Sequence, residues 1–357
     1  MSLCRLCKQE EATKKNSHIL PHFLIKTAIN KGGSKQRDYE LTFSFSQDEF
    51  ADLYFGRNIT LETIEQYKGR ELTGEELEQQ NPFAQDYLFC PSCEVYFGLL
   101  EDYYSKEVYQ KLLAGSFGQI FPTGEVQLAT SEKVSTPLVL LHVYSIFFRC
   151  SVAGYHGFQM NYFERKLRKV LLHYKEKDTD AILSKLELES NDFTFFPFIN
   201  TFAAPPADDV TKNFVTILHS EKPFFVYLNN VTFHLYTKRS HVGKTKEFFY
   251  GMTDLIDANK CANSLDKPFR VVLFNEAQLN RILSIAYEGM AKRQMKFLKS
   301  AFRKVHQRIF FTSPNEDLTN FFIHTLVTQD APQGDRYGKE FVAKAMYTVL
   351  KAYYQIP

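Results

Sequence analysis

Two Cys-x-x-Cys pairs, Cys4/Cys7 and Cys90/Cys93, carry the clearest chemical signal in the chain. Each pair can turn both sulfurs to one side of a tight loop, and two such loops supply the tetrahedral thiolate shell that Zn2+ accepts at about 2.3 Å per bond. A redox role would use one Cys-x-x-Cys opening a helix after a strand in a βαβ setting, so two pairs favour structural zinc. Between the pairs lie 82 residues, far more than a zinc ribbon needs, and the spacing predicts an insertion inside the metal clip. The intervening chain contains Ser17-His18-Ile19-Leu20-Pro21, and the second pair runs straight into an acid, Glu94.

The elements that must position these residues follow from local pattern. Pro21 to Asn30 reads as a short helix opened by proline. A second helix is predicted from Cys93, with Val95, Phe97, Leu99, Tyr103, Val108 and Leu112 as its apolar residues. Residues 31–80 are polar and turn-rich around a short helical piece near Thr60 to Tyr67, the pattern of an insertion rather than a core. The Gly-, Pro-, Ser- and Thr-rich run 115–137 is the best candidate for a linker. After it, Leu138 to Ala153 predicts an apolar helix and "MNYFERKLRKVLLHYK" an amphipathic one. Residues 193–236 switch to the period of strands, with Asn229-Asn230 dividing a hairpin, and "RVVLF" adds a strand. Helices are predicted again over 276–307 and 339–354.

Cys-x-x-Cys, Ser-His-Ile-Leu-Pro and Cys-Pro-Ser-Cys-Glu, in this order over residues 1–105, resemble the HNH nucleases of the ββα-metal superfamily in their four-cysteine bacterial form. That family's pattern is Asp-His-Ile-x-Pro, an Asn five residues ahead of the second Cys pair, and a His or Asn directly after it. The resemblance implies a treble-clef/ββα-metal zinc module in which His18 is the general base and Glu94 holds a catalytic Mg2+ or Mn2+. Ser17 stands where the family has its Asp ligand, and Gln85 where it has Asn. One carboxylate is lost at Ser17 and one gained at Glu94, so the number of anionic ligands for a hard cation is unchanged. Glu101 lies two helical turns beyond Glu94, on the same face, and is a further candidate ligand or support. The competing readings make His18 a loop-fixing buried histidine, Glu94 a favourable acid at a helix N-terminus, and Glu101 and His22 solvated surface groups. "IFFRCSVAGYHGFQMNYFERKLRKVLL" loosely resembles the region after the zinc module in the same proteins, an apolar helix ending in Arg and then an Arg-containing amphipathic helix.

Charge separates the chain unevenly. Its net charge is +2, but residues 1–114 hold 13 Lys/Arg against 18 Asp/Glu, which leaves the C-terminal part basic. There, Met295, Leu298, Phe302, Val305 and Ile309 form an apolar helical stripe, and Lys292, Lys296, Lys299 and Arg303 a basic one beside it. Such a helix can dock by one side and offer the other to phosphates; a solvated basic face is the alternative. No nucleotide-binding glycine fingerprint follows a strand, and the Gly five residues before "GKT" that a phosphate loop needs is Lys238. Six cysteines do not make a disulfide framework; Cys150 and Cys261 are expected as buried apolar filler. With no apolar leader, and with Pro137 to Phe148 too short to span a bilayer, a soluble cytoplasmic protein without membrane contact is expected.

The expected architecture is therefore α+β. An N-terminal zinc module over 1–114 and a linker over 115–137 precede a larger mixed α+β domain over 138–357 for nucleic acid or a protein partner. The expected function is metal-dependent phosphodiester hydrolysis in nucleic acid, with DNA the first candidate substrate. The alternative is a catalytically silent zinc module that binds nucleic acid or protein.

Overall fold

The computed structural model describes residues 2–29, 41–45, 52–55, 65, 71, 83–189, 198–203, 214–218, 223–244, 258–265, 267–329 and 339–355. The fold is mixed α+β, as the residue pattern predicts. Near the N-terminus, β1 (Ser17–His18) pairs antiparallel with β4 (Ala84–Gln85), Ser17 facing Gln85 and His18 facing Ala84. Backbone bonds extend this alignment on both sides: Ile19 N–H donates to Phe83 O at 2.8 Å, Tyr87 N–H to Lys14 O at 2.8 Å and Arg5 N–H to Leu88 O at 2.9 Å. The two ends of the insertion thus lie side by side. Helix α1 (His22–Ile29) follows β1 directly after Pro21, and β2 (Leu41–Phe45) and β3 (Asp52–Phe55) come from the inserted segment.

Helix α2 (Pro91–Tyr104) starts on proline, whose missing N–H costs nothing in a first turn. It continues through a π-helical turn, Ser105–Tyr109, into a last helical piece, Gln110–Leu113. Strands β5 (Gln119–Thr123) and β6 (Val126–Ser131) follow, then α3 (Thr136–Ala153), α4 (Tyr162–His173) and α5 (Thr179–Glu189). Gly154 ends α3 at φ 63°, a left-handed conformation that a side chain would strain.

Five more strands complete the main sheet: β7 (Phe198–Ala203), β8 (Phe214–Leu218), β9 (Phe224–Leu228), β10 (Val231–Leu235) and β11 (Phe269–Phe274). Its nine strands run in the order β3-β2-β8-β9-β10-β7-β11-β6-β5. Leu228 pairs with Val231, so Asn229-Asn230 is the predicted two-residue hairpin turn, with Asn229 at φ 61°. Short helix α6 (Ala258–Cys261) precedes β11.

Two boundaries need correction. Residues 115–137 are not a linker, because β5 and β6 form a hairpin and β6 pairs with β11 along five residues. The inserted segment is not separate from the sheet either, since β2 pairs parallel with β8. Gly, Ser and Thr suit an edge hairpin as well as a linker, and composition alone does not separate them. One continuous apolar core joins Cys4, Phe97 and Tyr104 of the N-terminal module to α3, α4 and the sheet. A second core lies between α7 (Glu276–Phe310), α8 (Glu316–Thr328) and α9 (Lys339–Tyr354), built around Leu298, Phe302, Phe322 and Val349. The expected helical piece near Thr60 to Tyr67 lies almost wholly outside the described residues.

By length and composition α3 could cross a bilayer, which overturns the expectation that its apolar stretch is too short, but 83% of its apolar window is buried inside the fold. It is the core helix against which α2 and α4 pack.

Candidate functional site

The four cysteines converge. The first knuckle is closed by Lys8 N–H donating to Cys4 O at 2.9 Å, and the second by Cys93 N–H and Glu94 N–H donating to Cys90 O, each at 3.1 Å. The four Sγ atoms lie within 4.8 Å of one another, and all four side chains are buried. This group could hold a metal ion such as zinc. As bare thiols they cannot all ionise. The hydrogen bond from Cys93 draws Cys4 down to about 4, while burial pushes Cys90 up to about 11, and the sulfur of Cys4 beside it raises Cys93 further. A dication removes that conflict by accepting four thiolates together. The rest of the fold braces the clip: Arg168 on α4 donates from Nε to Leu6 O at 2.7 Å and from NH2 to Cys7 O at 3.1 Å.

One turn into α2 the cysteine clip passes into a second polar group. Glu94 is partly buried at the head of the helix, and Ser17 comes over it from β1. Desolvation raises the Glu94 pKa; the nearby Ser17 hydroxyl and the Arg149 guanidinium oppose that rise, and Glu101 adds to it. The Ser17 hydroxyl is close enough to favour the carboxylate without making a well-formed hydrogen bond, so Glu94 Oε1 and Ser17 Oγ are both buried and unpartnered. His18 is half-buried, with its ring stacked on His22 at 5.6 Å.

Glu101 is committed elsewhere. It pairs with Arg149 of α3 at 2.6 Å, the two side chains 19% and 2% exposed. The same guanidinium donates from NH1 to the His18 carbonyl at 2.9 Å and from Nε to Ser145 O at 3.3 Å, and its carbon lies 5.3 Å from the Phe97 ring centroid. Of the expected readings of Glu101, an extra ligand, a support or a solvated surface group, the structure shows a carboxylate that balances a buried arginine. Arg149 is the site residue that motif reasoning misses, although Phe147-Phe148-Arg149-Cys150 holds the signal. An arginine within an apolar core helix needs a carboxylate and carbonyls around it, and the N-terminal module supplies both.

The fit of a hard cation rests on Glu94 and Ser17. Glu94 Oε1 and Ser17 Oγ are buried there without a hydrogen-bond partner, one carboxylate oxygen and one hydroxyl, where a hard cation takes about six or more oxygen ligands. Among the described residues, no group of three His, Cys, Asp or Glu donors converges besides the four cysteines.

The basic stripe is on the surface of α7. Lys292, Lys296 and Arg303 are exposed, whereas Lys299 is half-buried with Nζ 3.5 Å from Asn320 Oδ1. Leu298 and Phe302 are buried and Val305 packs against them, but Ile309, expected in the apolar stripe, is 52% exposed; His306 takes the buried place, bonded to Thr312 O and to the Tyr354 hydroxyl. The helices that hold the stripe in place are α8 and α9, so the second core, and not the cysteine clip, positions it. Compared with known proteins, the chain matches no family model, no curated protein and no solved structure. What the structure supports of the motif is the four-cysteine group near the N-terminus.

Proposed function

We propose that this chain is an HNH-like, metal-dependent nuclease whose four cysteines bind structural zinc. The observation that carries the reading is the pairing of Ser17-His18 with Ala84-Gln85 just ahead of α2, a ribbon-then-helix arrangement that sets Ser17 over Glu94 although 76 positions separate His18 from Glu94. Glu94 and Ser17 would hold Mg2+ or Mn2+, which stabilises the developing charge on a phosphate and its leaving oxygen. His18 would take the proton of the attacking water as general base. Burial raises the Glu94 pKa, so a bound cation would have to offset that cost to keep it as a carboxylate. Nucleic acid, DNA first, is the substrate, and the exposed cations of α7 supply affinity that does not depend on sequence.

The assay is plasmid nicking by zinc-loaded protein with Mg2+, Mn2+ or EDTA. The parent should cut with metal, and His18→Ala should lose roughly 10²–10⁴-fold in rate while retaining its zinc. Equal cutting by His18→Ala would remove His18 from the chemistry. Gln at Lys296, Lys299 and Arg303 should weaken binding across sequences and flatten its salt dependence by about 0.9 log unit for each phosphate no longer neutralised. Unchanged salt slopes would return the stripe to a solvated face.

A second reading, a catalytically silent zinc module that binds nucleic acid or a protein, is favoured by the Glu101–Arg149 pair, which leaves one carboxylate for a cation. No cutting of single- or double-stranded DNA or RNA with either metal would select it.

A further inference from the structure

We propose that Arg149 is a positioning residue that fixes the backbone of His18 against α3 and the Glu101 side of α2, an inference that deepens the nuclease reading above. Its guanidinium joins three pieces of chain that are distant in sequence. NH1 meets the His18 carbonyl at 2.9 Å and Glu101 Oε1 at 2.6 Å, while Nε is held by Ser145 O at 3.3 Å within its own helix. The ribbon's ladder has two residue pairs, continued by single backbone bonds from Ile19 to Phe83 and from Tyr87 to Lys14, and nothing in it ties the ribbon to the core helix. A donor fixed in the core helix supplies what the ladder lacks. Arg149 is 1% exposed, so it does not touch a substrate; it acts through the backbone of the residue that does.

The alternative is that Arg149 and Glu101 are a buried ion pair kept only for packing. The two roles separate in a double variant. Replacing both members of a buried pair by apolar groups of similar size commonly preserves stability, whereas removing one leaves a stranded charge. Arg149→Met alone should lower Tm by stranding Glu101. Arg149→Met with Glu101→Leu should recover Tm and zinc content yet leave the His18 carbonyl without its donor.

The experiment measures Tm, zinc content, plasmid cleavage and the His18 ring resonances by NMR in parent, single and double variants. The double variant should regain Tm while kcat stays roughly 10²-fold down with KM little changed, as a displacement near 1 Å can produce. Its His18 resonances should also be displaced from those of the parent. Recovery of cleavage together with Tm would overturn the positioning role. If the parent does not cut, the nuclease reading fails on its own, and the resonances still decide: displaced signals in the folded double variant support Arg149 as the residue that places His18, and unmoved ones refute it. If neither variant folds, Glu101→Gln, which keeps an acceptor for Arg149, should hold the His18 resonances at the parent positions, and their displacement would count against it.

Discussion

The cysteine cluster, through Cys90 and Cys93, and the Glu94–Glu101 pocket meet along α2 within three turns and treat charge in opposite ways. Around the cysteines four acidic donors converge, and the neighbouring Arg168 reaches backbone carbonyls. In the pocket two carboxylates share one built-in cation, Arg149, and Glu94 keeps an oxygen free of partners. The first region offers an external metal ion four sulfurs within 4.8 Å of one another. The second is already balanced in part by a charge the fold itself supplies.

The largest expected effect comes from unmaking the first region. Cys90→Ser, or chelation strong enough to strip zinc, should unfold the two knuckles and the β1–β4 ribbon between them, because apparent structural zinc affinities reach about 10–16 kcal/mol. Circular dichroism and metal analysis of the variant check this, and native folding without metal would erase the contrast between the regions. Smaller, but still large, is the effect of breaking the internal balance of the second. Glu101→Leu strands the Arg149 charge and should cost about 3–5 kcal/mol in denaturant titration, with zinc content unchanged.

Acid should act on the pocket through His142, a neighbour of Arg149 in α3. Burial first, and the Arg149 charge second, hold His142 well below the usual 6.5, and both ring nitrogens lack partners. The folded chain therefore carries this histidine neutral. Its contribution to stability is complete above the unfolded pKa and is lost as pH falls below it, by about 1.4 kcal/mol per unit while the folded form stays unprotonated. His142→Phe should flatten that loss, seen as a smaller drop in Tm between about pH 6.5 and 5. An unchanged drop would mean that other groups dominate.

The smallest effect has the opposite sign. Burial raises the Glu94 pKa, so its stability contribution is full below the unfolded value of about 4.3 and declines as pH rises through the folded one. Without Mg2+ or Mn2+, Glu94→Gln should raise Tm slightly at about pH 8, with no difference below about pH 4. A fall in Tm at the higher pH would show that Glu94 is held as a stabilising ion rather than an unpaired one.

The two regions also differ in how far the residues announce them. Cys-x-x-Cys fixes the sulfurs within one tight loop, so half of each pair's geometry is local and readable. The hairpin at Asn229-Asn230, the strand Phe269–Phe274 and the long helices are legible for the same reason, through turn chemistry and periodicity. The edge hairpin at Gln119–Ser131 is not, since its polar, turn-rich residues pair with β11 only through a partner far away in sequence. Glu101 fails likewise: its spacing from Glu94 correctly places both on one face, but its partner Arg149 comes from another helix. Burial of an arginine inside an apolar helix is written in the sequence, while the identity of its acid is not.

Anomalous diffraction from a crystal soaked in Mn2+, recorded at the zinc and manganese edges, tests both regions together. One zinc peak among Cys4, Cys7, Cys90 and Cys93 and one manganese peak against Glu94 and Ser17 are the predicted result. Zinc at the cysteines with no manganese at Glu94, or no zinc at all, would contradict it.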